Sequence, residues 1–331
     1  MMLSLVQKEY KILDVMKFVM AIVVVAIHTR PEMSFSSPFV IRLFESVYSI
    51  AVPFFFMASG FLLFRKISLP LNEDGEQRIK SYLKRMCRLY LVWTIIYLPL
   101  TIYGFYIDGL SLVKAGSVFL RNVLLVGENY MSWPLWYLLA LIVSVGIIYG
   151  LLKLKISMNV IVVCGIFMAL VGVGLDYCRE NAFLQPITDF YFSFFLKTRN
   201  GFFVGFLFVA LGMLCADCPR LSFGKTLLLL SVGILGMKLS IPLSYALVTC
   251  AIFIFSISIK LNTVKSACFS RLRMISSVVY FIHMFAISAL ILLANYEYGL
   301  LLFFVVIALS LTVGLILMRY NTNRVFRFLF A

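Results

Sequence analysis

Charge is what this chain has least of, and acidic charge least of all. Asp and Glu number 14 against 29 Lys and Arg in 331 residues, and the four types together make up only 13%. A soluble domain carries about 25%. With 63% hydrophobic residues and a mean hydropathy of +1.04, a water-soluble globular domain is excluded and a polytopic membrane protein is left. Histidine is scarcer still, with two residues, His28 and His283. Seven cysteines, mostly within or inside the membrane, form no disulfide framework. Cys215 and Cys218 make a CxxC, but without a second pair or a nearby histidine it reads as a helix end carrying two small apolar side chains. No linker, low-complexity run, 20- to 50-residue repeat or pair of inverted halves is visible, so residues 1–331 read as one membrane domain.

What is present is a series of apolar segments, each close to the ~20 residues that a bilayer needs. About ten transmembrane helices are predicted, at 12–29, 44–64, 88–107, 133–152, 157–175, 201–217, 223–238, 241–260, 273–294 and 298–318. The fold class is therefore all-α. The pair 223–238 and 241–260 is expected to form a tight outer hairpin around Pro242. Lys8 and Lys11 precede the first segment as they would a signal peptide, yet no small-residue cleavage pattern follows His28, so it is read as a retained span. An even count puts both termini on one side. If that side is the cytoplasm, most of the basic residues collect inside, among them Lys153, Lys155, Arg220, Lys225, Arg319, Arg324, Arg327 and the clusters at 65–88 and 260–273. This obeys the positive-inside rule. The net charge of +15 then reports topology and contact with anionic lipid, and is no evidence for nucleic acid.

The first span, LDVMKFVMAIVVVAIHTRP, organises the rest. It carries Asp14, Lys17 and His28 where apolar residues are expected, and ionisable groups inside a membrane default to function. Eleven helical steps bring Lys17 and His28 to within about 20° of one face and about 16 Å apart, with Asp14 within about 60° of both. One polar stripe thus runs from one membrane surface toward the other, as the lining of a path would.

Further candidates follow along the chain. Pro53 bends the second span, and Ser59-Gly60 allows close helix approach, which packing alone also explains. Arg85 and Arg88 share a helical face at the inner mouth of the third span. Two fork-shaped guanidiniums there suit phosphate groups, and they also suit a simple headgroup anchor. Trp136 and Tyr137, in SWPLWY, open the fourth span, where an aromatic belt is expected in any case. Arg199 precedes the sixth span, unfavourably placed for the helix dipole unless it has another partner or snorkels. Ser276, Tyr280 and His283 lie at i, i+4 and i+7 on one face of the ninth span, with His283 near the midplane, either packed and hydrogen-bonded or functional.

Taken in order, these residues resemble the membrane acyltransferase type 3 family. The resemblance is carried by Leu13-Asp14 with Lys17 and His28, Phe54-Phe55-Phe56 leading to Ser59-Gly60-Phe61-Leu62, Arg85 and Arg88, Trp136-Tyr137, and Ser276 to His283, from residue 12 to about 290. It implies about ten spans in the plasma membrane, of a bacterium by preference. It also implies acyl-CoA, most simply acetyl-CoA, as a cytoplasmic donor substrate. The acceptor would be the hydroxyl of an extracytoplasmic cell-surface glycan or lipid-linked sugar, with membrane lipid around the protein and no metal or bound cofactor. On this resemblance His28 is the base or acyl carrier, and His283 or Tyr280 orients the thioester or stabilises its oxyanion. Lys17, Ser59, Arg85 and Arg88 take the donor, and Trp136 and Arg199 the acceptor. The family usually has Arg where this chain has Lys17, which keeps the charge but loses the bidentate fork.

The stretch TRNGFFVGFLFVALGM resembles a branch that includes the membrane half of vancomycin-resistance serine racemases, with no racemase domain expected after Ala331. The WSLxxEEQFY-type sequence and the extracytoplasmic hydrolase domain of larger relatives are missing, so a stand-alone type is expected. Two other classes stay open. A secondary transporter of a small polar solute such as an amino acid would also want a polar midplane path. A membrane scaffold would not depend on His28, His283 or Arg85.

Overall fold

The computed structural model describes residues 10–179, 181, 183–217, 221–259, 266–319 and 323–330. Lys8, Cys218, Arg220, Lys260 and Lys265, and the side chains of Arg324 and Arg327, lie outside the described residues, as does the CxxC they would have tested. Within them the chain is all-α, a bundle of thirteen α-helices and a few short 3-10 and π turns. Seven helical segments are long and apolar enough to cross a membrane: α1 (Lys11–Thr29), α2 (Pro38–Phe64), α3 (Glu73–Ile107), α5 (Trp136–Lys153, with the turn before it), α6 (Met158–Cys178), α11 (Ser266–Ala294) and α12 (Leu300–Arg319). The protein is a polytopic membrane protein.

The other three expected spans form shorter helices. A π turn at Gly201–Gly205 continues into α8 (Phe206–Asp217), while α9 (Phe223–Lys238) and α10 (Ser244–Ser258) make the expected tight hairpin. That hairpin closes because Gly236 lies against Ser244 and Gly233 against Val248, where no side chain would fit. At 1.5 Å per residue, α9 and α10 reach about 24 and 22 Å, less than the ~30 Å hydrocarbon core.

Local chemistry sets the boundaries. Arg30, at φ 53°, takes the left-handed conformation that ends α1, its N–H bonding to the Ala26 carbonyl, and Pro31 prevents continuation. α3 starts at Glu73, well before the predicted span at 88, since Asn72 caps it through the Gly75 N–H at 2.8 Å and Glu73, Asp74 and Glu76 occupy its positive end. The extra turns dock on the end of α5, where Glu76 meets Lys80 at 2.6 Å, the Tyr149 hydroxyl at 2.7 Å and Lys153 at 3.2 Å. The segments between α3 and α5 and between α6 and α8 contain short helices, α4 (Leu112–Arg121) and α7 (Gln185–Phe195). An eight-residue helix, α13 (Asn323–Phe330), tucks against α3, where the Leu329 carbonyl accepts the Trp93 indole N–H at 2.6 Å.

Two contacts position the site. α2 packs most extensively on α8, and glycines on both helices bring the backbones together: a Cβ at Gly60 would strike the Val209 carbonyl, and one at Gly212 the Met57 carbonyl. α1 lies along α11 in the same direction. Arg273 pairs with Asp14 at 3.3 Å, the Ser276 hydroxyl donates to the Lys17 carbonyl at 3.2 Å, and His28 faces His283, so contacts climb both helices in the same order. The first and ninth of the ten spans expected from the sequence would have that relation if they alternate. Gly212→Val should force α8 off α2 and lower the melting temperature in detergent, an overpacking loss of about 1–3 kcal/mol. Gly174→Val, with open space around its Cβ position, should leave that temperature unchanged.

Candidate active site

A cavity of about 1,100 Å³ opens between α1, α2, α3, α5, α11 and α13. Lys17, Arg65, Lys66, Arg78, Arg85 and Arg273 line it, with Asp74 as their acidic counterpart on the wall. The charge is strongly positive in a protein that is otherwise apolar. Several cations are held by aromatic faces: the Arg85 guanidinium lies 5.2 Å from the Tyr82 ring and that of Arg65 lies 4.9 Å from Tyr10. Deeper in, Ser59 and Tyr137 share a hydroxyl hydrogen bond of 2.8 Å, and Tyr137 reaches the Phe55 carbonyl at 3.3 Å. Phe326 and Phe330 of α13 close one side, stacked into a cluster with Trp93 and Phe281.

The two histidines stand beyond the far end of this cavity and do not line it. His28, the last residue but one of α1, is half-buried, its ring 5.8 Å from Trp133 and nearly parallel to it, and 5.4 Å from His283. His283 is completely buried, with Nδ1 3.0 Å from the Val279 carbonyl oxygen one turn below. Tyr280 is common to both regions. Its ring lines the cavity and lies 6.3 Å from His283, while its hydroxyl donates to the Pro134 carbonyl at 2.5 Å.

Elsewhere, the Arg199 guanidinium lies 4.7 Å from the Trp136 ring. Glu128, nearly buried, pairs with Lys197 and, at 3.8 Å, with Arg199. The left-handed Gly127, at φ 84°, presents Glu128, and Asn200 caps the following π turn through the Phe202 and Phe203 N–H groups. Asn200 also donates to the Tyr191 hydroxyl at 2.6 Å, and burial pushes that phenol up to about 12, so it stays neutral. Among the described residues no group of three His, Cys, Asp or Glu could hold a metal.

The structure therefore brings Lys17, Ser59, Arg85 and Tyr280 to one cavity, His28 and His283 to one pair, and Trp136 and Arg199 to one stack. It separates Arg88 from Arg85. The Arg88 guanidinium lies 5.6 Å from the Phe328 ring and does not line the cavity, because α13 covers that side of the α3 face. Tyr280 is not free to donate toward an oxyanion, its hydrogen being engaged by Pro134. Sequence reasoning singled out Tyr137 without giving it a role, and missed Trp133 and Glu128 as members. A lone acid after Gly127, in a chain with so few acids, was the available signal for the last of these.

The sequence profile of the acyltransferase type 3 family, described as an acyltransferase domain, matches residues 10–319. The chain belongs to the acyltransferase type 3 family. It is 31% identical over 229 residues to the serine/alanine racemase of Enterococcus gallinarum, and 31% identical over 232 residues to an amino-acid racemase of Enterococcus faecalis. Each match covers 68% of this chain and 32% of the relative, so the chain spans about a third of the length of the curated relatives it matches. No solved structure matches it. As an acyltransferase-family fold the chain carries three compartments, and Glu128 holds the third together. Glu128→Ala should leave two cations facing one another and cost about 1–3 kcal/mol, read as a drop in melting temperature that Glu128→Gln reduces.

Proposed function

We propose that this protein transfers an acyl group, acetyl in the simplest case, from cytoplasmic acyl-CoA to a hydroxyl of an extracytoplasmic cell-surface glycan or lipid-linked sugar. One observation carries the reading. A strongly basic cavity and a histidine pair lie at opposite ends of α1, with Tyr280 touching both. The six cations of the cavity suit the phosphates of a nucleotide, Arg85 in particular through its planar fork. The pantetheine arm would run past Lys17 and the Ser59–Tyr137 pair toward Tyr280. The acceptor would arrive from the opposite side, between Trp136–Arg199 and His28. The positive-inside distribution supports cytoplasmic termini in a plasma membrane.

The chemistry balances without a cofactor. His28 takes the proton from the acceptor hydroxyl as the oxygen attacks the thioester carbon. The C–S bond breaks as the C–O bond forms, and the leaving thiolate recovers the proton from the imidazolium as CoA–SH. An acyl-histidine route would split this into two displacements at the same carbon and use the same groups.

A second reading has its own support, since relatives named serine/alanine and amino-acid racemases act on amino acids by name. It makes the polar path a route for a small amino acid. Membranes carrying the protein, given labelled acetyl-CoA and crude cell-envelope glycan, distinguish the two. Acyl transfer expects label in the envelope that falls by at least about 100-fold in His28→Ala. Equal label in both removes His28 from the chemistry. No label and no acetyl-CoA binding, with serine uptake that needs His28, would falsify the transferase in favour of the transporter. Within the transferase, Arg85→Ala should raise the donor KM about tenfold, the loss of one charge-assisted contact, with partial rescue by Arg85→Lys. Arg88→Ala should move it far less.

A further inference from the structure

A carboxylate on the first span has to be paired, and the pairing of Asp14 also decides what its partner can do. Two bonds set the register of α1 and α11. The Ser276 hydroxyl donates to the Lys17 carbonyl at 3.2 Å, and one turn earlier on both helices Nη2 of Arg273 meets Oδ2 of Asp14 at 3.3 Å. The two ends of that ion pair have different surroundings. The Asp14 side chain is 12% exposed and does not line the basic cavity, whereas the Arg273 side chain is 51% exposed and does. A pair that only joined two helices would bury both partners alike. Here the acid is screened and the guanidinium is presented.

A guanidinium carries five N–H donors. Asp14 engages Nη2 of Arg273, and among the described residues the rest of the group has no hydrogen-bond partner. The Lys17 ammonium lines the same cavity and has none either, and Asp14, Arg273 and Arg85 are the charges that act on it. Three cations with donors to spare, against one screened acid, suit an anion with several oxygens.

We propose that Arg273 is a donor-binding residue that meets a phosphoryl group of acyl-CoA, and that Asp14 is the positioning residue that holds its guanidinium toward the cavity. The choice of ligand rests on the acyl-transfer reading. The two roles open to Asp14 have opposite signs. As a bare negative charge it repels the donor, so its removal tightens binding; acting through Arg273 it helps the donor, so its removal weakens binding.

CoA carries no acyl group to transfer, and calorimetric titration into protein in phosphatidylcholine nanodiscs, below the melting temperature of each variant, reads binding alone. Arg273→Gln should raise the CoA Kd at least tenfold, the loss of a charge-assisted contact. Asp14→Ala should raise it about threefold to tenfold, and Asp14→Asn, which keeps an oxygen to accept from Nη2 without the charge, should stay within about twofold of the wild type. In the Arg273→Gln background, Asp14→Ala should weaken binding no further. Tighter binding in Asp14→Ala, equal losses in both backgrounds, or a Kd that ignores Arg273→Gln overturns the proposal. A Kd that rises with added phosphatidylglycerol in the wild type and not in Arg273→Gln assigns Arg273 to a lipid headgroup and overturns it too. Absence of CoA binding by the wild type removes both this assignment and the acyl-CoA reading. The expected pattern of Kd values without transfer of label leaves the assignment standing and ends the acyl-transfer reading.

Discussion

Everything in this molecule that is not packing hangs on one constraint: polar groups placed on α1 inside an apolar bundle must find partners, and α11 supplies them. The two helices run side by side in the same direction, so three levels of contact are set at once. Asp14 meets Arg273, the Lys17 backbone meets Ser276, and His28 meets His283. An ionised carboxylate in low dielectric is costly without an opposite charge or a hydrogen bond. The same pairing that meets that cost also orients the cavity wall at one end and the imidazoles at the other. Stability and candidate chemistry thus share one seam.

Much of that seam was legible. Helical periodicity put Asp14, Lys17 and His28 on one stripe, and Ser276, Tyr280 and His283 on another, and the structure turns the two stripes toward each other. What periodicity could not supply was the partner of each hydroxyl. Tyr280 reads as a free phenol until the turn before α5 brings the Pro134 carbonyl to it. Arg85 and Arg88 share a face in any helical projection, and only the docking of α13 decides that one guanidinium sees the cavity and the other sees Phe328. Hydropathy found the apolar segments, but their lengths depend on caps and glycine contacts, which is why α3 grew inward and α9 and α10 stayed short.

The three compartments differ in the physics that holds them. The cavity is a basic, aromatic-walled space suited to an anion with an apolar arm. In the histidine pair, His283 is dry and held by a backbone hydrogen bond, while His28 is half-buried between it and Trp133. The Glu128 cluster is a partly solvated charge network on aromatic rings. On the proposed acyl-CoA reading, donor and acceptor need such different surroundings, since one would bring phosphates and the other a water-loving surface. Tyr280 is the side chain that the cavity and the histidine pair share.

The seam between α1 and α11 joins residues 259 apart in the chain. Synthesis at about 5–20 residues per second puts roughly 13–50 s between the emergence of the two faces. Throughout that interval the Asp14 carboxylate sits on a segment already delivered to the membrane, with Arg273 not yet made. Assembly of this protein therefore contains a waiting period, during which its first helix is the least settled part of a chain that later depends on it.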